Sequence, residues 1–517
     1  MKFIQGHNRN QINLFPVSLD QSIDPENEVR ILDLFVDSLS IKDYGFRMDF
    51  IENGRPAYHP ADLLKLFIYG YLNKVRSSRD LEKECRRNIE VMWLLKGLKP
   101  DHNTISNFRK DNPKAIKKVF RTTVQIARHF DLLGGKLVAG DSTKMRAQNS
   151  KKNNYNQAKI DRHVAYIDNK LEEYSSALAE SDGDNKQMIT DEIAKQQKRK
   201  EQYKEFEKEL NESGEPQIST SDPESRQIMV RNNITEVAYS VQTTVDAKNC
   251  IPIDYKVTNQ NDSKAMGNMV QRAKSILRTN EFTALFDKGY HTGSELKTAQ
   301  DLGIETIVAI PGLPSTSQAP NPAYNFEHFK YDQKSDTYTC PQGEVLRTNG
   351  TWYKEHNRRD NVITFKQYKT RSCKLCPAHS QCTRSKDGRV LSRSTFAEYY
   401  DRNRKTYQEK EHLYKRRQAI VEHPFGTMKR QWGFSYILTK KGIKRASADV
   451  GFMFIAYNLR RIGNILTSDR LREYLRILVL LFLGKKDHPG LKKSLLRPSL
   501  FRVPVWAVKW EWAQVPA

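Results

Sequence analysis

The sequence predicts an α/β fold: a mixed sheet, an all-helical region in front of it, and two insertions, one a helical hairpin and the other rich in cysteine. Three features predict it. Apolar residues through 1–130 recur at helical spacing. From 237 to 257 they alternate with period two around a turn at 246–249. Beyond that, short apolar runs at 282–286 and 305–310 are separated by helical segments, the order of a sheet with crossovers.

A chain of 517 residues is long enough for roughly three domains and a large core. Its 86 Lys and Arg against 61 Asp and Glu leave a net charge of +25, which points to a polyanionic partner, nucleic acid or an anionic membrane surface. The strongest apolar run, 477–483, is far shorter than the roughly 17–25 residues of a spanning helix, so no membrane role is expected. No secretory signal is recognisable, and a soluble intracellular protein is expected.

Taken in order, "ADLLKLFIYGYLNKV" is a helix opening just after Pro60. "SSRDLEKECRRN" follows, with Ser77 three before Asp80 as a capping signal. "PDHNTISNFRKDN" offers Asp101 or Asn103 as N-cap of a short polar helix carrying Asn107, Arg109 and Lys110. Short helices ending in a polar, basic one fit a helix-turn-helix arrangement, and equally a plain bundle whose last helix is solvated. A short apolar strand, 136–140, runs into Asp141. In 157–213, Ile160, Val164, Ile167, Leu171, Tyr174 and Leu178 make a narrow seam that "SDGD" interrupts, the pattern of an antiparallel helical hairpin. The period-two hairpin, a helix, the strand "FTALF" leading to Asp287, a second helix and the strand "ETIVAI" complete the sheet. Residues 315–395 are polar, turn-rich and hold most of the cysteines, and helix returns over 400–465.

Asp141 and Asp287 each follow an apolar strand, where an Asp is commonly a turn residue. Glu422 is different: from 414 to 445 there are nine Lys or Arg and this one acid. Three carboxylates on separate elements can converge on two divalent cations and support phosphoryl transfer. Hard oxygen ligands suit Mg or Mn, and basic neighbours such as Arg417, Lys429 and Arg430 would hold DNA phosphates nearby.

Of six cysteines, Cys340, Cys373, Cys376 and Cys382 cluster. The C-x2-C pair has the spacing of tetrahedral zinc ligands; Cys340 and Cys382 would complete a four-cysteine site, with His379 as an alternative ligand. Unliganded reduced thiols are the other reading.

Several ordered blocks resemble bacterial insertion-sequence transposases of the DDE class. "GRPAYHPADLLKLFIYGYL" and "SSRDLEKECRRNIEVMWLLKGLKPDHNTISNFRK" are similar to the N-terminal DNA-binding region, and "GDSTKMRAQNSK" to the first-Asp block. "STSDPESRQI" and "AYSVQTTVDAKN" resemble the approach to the second strand, "DKGYHTG" the second-Asp block, and "RRQAIVEHPFGTMKRQWGF" the Glu block. The resemblance implies an RNase H-like catalytic domain over 131–465, carrying the 157–213 hairpin and the 315–395 Cys-rich insertion, behind a DNA-binding domain over 1–130. Residues 466–517 form a tail that matches nothing expected. It also implies Asp141, Asp287 and Glu422 as a triad holding two Mg or Mn ions, and double-stranded DNA as partner, both the element's terminal inverted repeats and the target. A homodimer at synapsis and a cytoplasmic, nucleoid-associated location follow from the same resemblance. A DNA-binding derivative without chemistry and a nuclease without strand transfer are the alternatives. One departure stands out: Tyr414 and Arg417 precede Glu422 as in the family's Tyr-Arg-Glu-Lys signature, with Lys429 seven beyond, but the gap from Arg417 to Glu422 is one residue longer.

Overall fold

The computed structural model describes residues 18–48, 56–180, 184–231, 234–312, 315, 317–356, 362–439 and 441–487, with backbone alone at 184, 231, 356 and 481–487. Most of the 466–517 tail therefore lies outside the described residues.

Seven helices come first: α1 (Glu28–Asp37), α2 (Ile41–Tyr44), α3 (Pro60–Leu72), α4 (Ser78–Arg87), α5 (Ile89–Leu94), α6 (His102–Asp111) and α7 (Pro113–His129). Strand β1 (Leu137–Arg146) follows. A short pair, β2 (Asn154–Tyr155) and β3 (Ile218–Ser219), brackets the hairpin helices α8 (Gln157–Glu180) and α9 (Asp184–Ser213). Then come β4 (Arg226–Arg231), β5 (Ile234–Asp246), β6 (Ile251–Thr258), α10 (Met266–Leu277), β7 (Thr283–Phe286), α11 (Gly293–Asp301) and β8 (Glu305–Val308). Strands β9 (Lys330–Asp332), β10 (Thr337–Thr339), β11 (Val345–His356) and β12 (Val362–Lys369), helix α12 (His379–Cys382) and β13 (Leu391–Ser394) make up the Cys-rich stretch. Helices α13 (Ala397–Glu409), α14 (Glu411–Tyr414), α15 (Arg417–Gly426), α16 (Ile443–Ile465) and α17 (Ser468–Asp487) complete the described chain. Among the described residues, no helix is long and apolar enough to cross a membrane.

Local chemistry accounts for many of these boundaries. Asp101 caps α6, accepting from the backbone N–H groups of Asn103 and Thr104. Pro60 occupies the first turn of α3, where its missing N–H is no loss. The capping signal read at Ser77 is not realised: Ser77 precedes α4 but makes no side-chain cap hydrogen bond.

Hydrogen bonds order the six-stranded sheet as β4-β5-β1-β7-β8, with β6 also paired to β5. Strands β4 and β6 run antiparallel to β5, whereas β7 is parallel to β1 and β8 to β7. Strand β1 is longer than its apolar run suggested. It continues through Asp141 to Arg146, so Asp141 lies inside the strand. The polar second half is tolerated because β5 supplies polar partners: Lys144 donates from Nζ to Ser240 Oγ at 2.8 Å.

The chain clusters into two compact units, one drawn from 1–134, 142–260 and 422–517 and the other from 135–141 and 261–421. In the first, the N-terminal helices share a core with α16. Phe67 stacks on Phe452 with ring centroids 4.8 Å apart, and Phe120, Tyr255 and Phe454 form an aromatic cluster. Asp449 of α16 is fully buried there. It accepts from Tyr71 Oη, from Arg76 Nη2 at 2.9 Å, from Arg109 Nη1 at 3.4 Å and from the Leu438 N–H at 2.7 Å. Burial alone would raise the Asp449 pKa, but the two guanidinium charges and these hydrogen bonds hold it below the ordinary carboxylate value.

In the second unit the parallel strands carry α10, α11 and α13, and Asn403 of α13 exchanges hydrogen bonds with both backbone groups of Val308. Gly140 is required for packing: a Cβ there would stand 2.0 Å from the Phe286 ring. The Cys-rich stretch forms its own antiparallel sheet, ordered β13-β12-β11-β10-β9, around Phe329, Tyr338, Leu346, Tyr368 and Leu391.

Candidate active site

Strands β1 and β7 pair in parallel with Ala139 opposite Leu285. Two residues further along the chain stand Asp141, still within β1, and Asp287, one residue past the end of β7. Side chains return to the same face every second residue, and neighbouring strands lie about 4.8 Å apart. If the strand geometry carries on by two residues, the pairing brings the two carboxylates to one face at one level.

Each Asp is held by its own surroundings. Asp287 ends its strand and caps a 3-10 turn, accepting from the Gly289 N–H at 2.8 Å. Behind it Tyr290 is buried, and His291 stacks on Tyr400 at 4.9 Å. Burial, with some help from Arg404, pushes the His291 pKa down to about 4. The Gly293 N–H donates to Tyr400 Oη, and a Cβ on Gly293 would meet Phe396 at 2.4 Å. The run "DKGYHTG" is thus a strand end and helix start packed against α13.

Asp141 Oδ2 accepts from Arg417 Nη1 at 2.9 Å, with the side chains 23% and 16% exposed. Burial would lower the Arg417 pKa, but Asp141, Tyr414 and Asp287 overcome it and hold the guanidinium charged. Arg417 is therefore counter-cation to both aspartates.

Glu422 lies on α15 with an exposed side chain and falls in the first unit. A proline within a helix ordinarily kinks or ends it. Instead the helix runs through Pro424 and changes at Thr427–Gln431 into a π turn, the kind of irregularity that absorbs a disrupted i→i−4 ladder and recurs at functional sites. From that turn Lys429 donates through Nζ to Thr143 Oγ1 at 3.1 Å and to the Lys144 carbonyl at 3.0 Å. By strand alternation Thr143 shares the face of β1 that carries Asp141.

The other expected DNA contacts divide. Asn107 is exposed on α6 and accepts from Lys110 Nζ at 2.9 Å, and Arg430 is exposed. Arg109 is corrected: it is 5% exposed and spent on Tyr71, the Arg76 carbonyl and Asp449, so it does not face a groove. A signal for this was available, since Arg109 follows Ile105 by four and shares the buried stripe with Phe108. No signal pointed to Asp449, or to Thr143 and Lys144 as acceptors for Lys429.

Cys340, Cys373, Cys376 and Cys382 are free thiols that line one cavity of about 20 Å³ together with His379. That is room for one water-sized sphere. The His379 Nε2 is buried there without a hydrogen-bond partner, and burial pushes the Cys382 thiol up. The donor set and the orphaned nitrogen suit a soft or borderline metal such as zinc. Even so, among the described residues no three His, Cys, Asp or Glu side chains form a group that could hold a metal ion.

Residues 17–111 match the model of a transposase domain family (DUF772), and residues 339–463 match that of a transposase DDE domain. Glu422 lies inside the second stretch; Asp141 and Asp287 lie outside both. No curated protein gives a significant match. Among solved structures, the cryo-EM structure of the piggyBac transposase synaptic complex with hairpin DNA is similar over 93% of this chain and 84% of that one, at 10% identity and a TM-score of 0.28.

Proposed function

The chain is a DNA transposase of the DDE class, and from that premise we propose that Asp141, Asp287 and Glu422 are its metal-holding triad, carried by an RNase H-like core. The observation that supports this reading is the parallel register of β1 and β7, with Ala139 opposite Leu285, each two residues before one of the aspartates. Their carboxylates are hard oxygen donors suited to Mg or Mn. When bound, two such ions activate the attacking oxygen and stabilise the leaving one in displacement at phosphorus. Arg417 pairs with Asp141, and its planar fork suits a DNA phosphate. Lys429 ties the Glu422 helix to β1. Water attack at the element end breaks a P–O3′ bond and frees the element's 3′-hydroxyl; attack of that hydroxyl on a target phosphodiester joins the strands and expels the target's own 3′-oxygen, which leaves as a hydroxyl.

The partner in this reading is double-stranded DNA, at the element's inverted repeats and at the target, with two copies of the chain at synapsis on the bacterial nucleoid. DNA recognition falls to 1–130, with Asn107 and Lys110 presented on α6. Chemistry falls to 131–465, interrupted by the 157–213 hairpin and the 315–395 module. In that module the four cysteines, with His379 in reserve, close around one structural zinc. The deciding experiment uses Asp141→Asn, Asp287→Asn and Glu422→Gln on a labelled element end with Mg or Mn. Each variant is expected to lose cleavage while retaining end binding, and wild-type cleavage by any of them would remove that residue from the triad.

A further inference from the structure

Beside the α3–α4 turn, within the first unit, is an open cavity of about 310 Å³. Its size is that of a small-molecule site, on the order of 300–1,000 Å³. Trp432 and Tyr436 line it, on the segment that follows the π turn, and Tyr436 is 41% exposed. Charged residues line it as well. Lys74 lines it at the end of α3, where its φ of 64° is the left-handed turn that closes the helix, the Val75 N–H donating back to the Gly70 carbonyl at 2.7 Å. Asp80 and Glu84 of α4 also line the cavity. Glu84 is balanced by Arg87 Nε at 2.8 Å and Asp80 by Lys83 at 3.3 Å, so neither repels an anion as a bare charge would. Arg76 lines the cavity, 6% exposed, with its Nε making no hydrogen bond.

Aromatic faces accept any base by stacking, carboxylates accept from exocyclic amines, and a rim lysine meets phosphate. We propose that this cavity is a subsite for one unpaired nucleotide of the DNA strand, with the base against Trp432 and Tyr436, its exocyclic amine on Asp80 or Glu84, and its phosphate on Lys74. Adenine and cytosine fit this wall; thymine, which has no exocyclic amine, does not. The inference rests on the chain acting on DNA, and it adds a strand-specific site outside the triad.

The test measures fluorescence anisotropy of the full chain with labelled short single strands of dA, dC or dT, and with a duplex of arbitrary sequence. Wild type is expected to hold dA and dC tighter than dT. Trp432→Ala and Tyr436→Ala are each expected to weaken single-strand binding roughly tenfold, the usual scale for loss of one stacking platform, with duplex binding unchanged. Asp80→Ala, which removes the acceptor, is expected to narrow the preference over dT, Glu84 holding what remains. Variants that bind single strands like wild type, or that lose single-strand and duplex binding in parallel, overturn the proposal. If Trp432→Ala melts early, Tyr436→Ala decides, because Tyr436 is the more exposed of the two. Cleavage of the element end by the same wild-type preparation tests the transposase reading separately, so a protein that cuts but shows no base preference overturns the cavity alone.

Discussion

Arg417 Nη1 stands 2.9 Å from Asp141 Oδ2, and its charge also acts on Asp287. One cation therefore serves both aspartates of the candidate active site. Arg417→Gln is expected to lower end cleavage roughly a hundredfold, the scale of losing one preorganised donor at a developing charge. Arg417→Lys is expected to recover only part of it, since an ammonium lacks the planar fork. Equal cleavage by wild type and Arg417→Gln would leave Arg417 a fold-supporting partner only.

Asp449 answers two buried guanidinium groups, Arg76 and Arg109. Asp449→Ala leaves both uncompensated and is expected to cost about 3–5 kcal/mol in denaturant unfolding. For the same reason residues 1–130 produced alone are expected to be unstable. The pH dependence has a definite sign. The folded pKa of Asp449 lies below its ordinary 3.8, so its contribution is complete above that value and is lost as the pH falls through the depressed folded value. An Asp449→Ala protein as stable as wild type at neutral pH would contradict this account.

Lys429 and Arg430 are adjacent, but the fold gives them separate tasks. Lys429 is engaged with β1, whereas Arg430 is exposed. Arg430→Ala is expected to lower the slope of log K against log salt by roughly 0.9 with no change in melting temperature. Lys429→Met is expected to lower the melting temperature and the cleavage rate while changing that slope less. Reversed assignments in paired salt titrations and melting curves would refute the division.

The thiol cavity predicts about one zinc per chain by elemental analysis of protein prepared without chelators. Cys373→Ser is expected to reduce that content and to loosen the β9–β13 sheet, read as faster amide exchange there. Metal-free protein with an equally protected sheet would mean that the thiols stay reduced and unliganded.

The sequence alone determined what depends on neighbours a few residues apart. Helical period, the Asp101 cap, the period-two hairpin and the strand leading into Asp287 are short-range patterns, and they appear at or near their expected positions. The candidate acids were legible for the same reason, as departures from local pattern: Asp after an apolar strand, and one Glu among cations. The tertiary structure decided what depends on partners far along the chain. Asp141 lies inside β1 rather than at its end because β5 extends that strand. Arg109 turns inward because a carboxylate 340 residues away is buried opposite it. Lys429 reaches β1 because a π turn carries the chain beyond Pro424. Whether a charged side chain meets solvent, DNA or a buried counter-charge is set by which distant groups the fold brings beside it, and no local pattern encodes that.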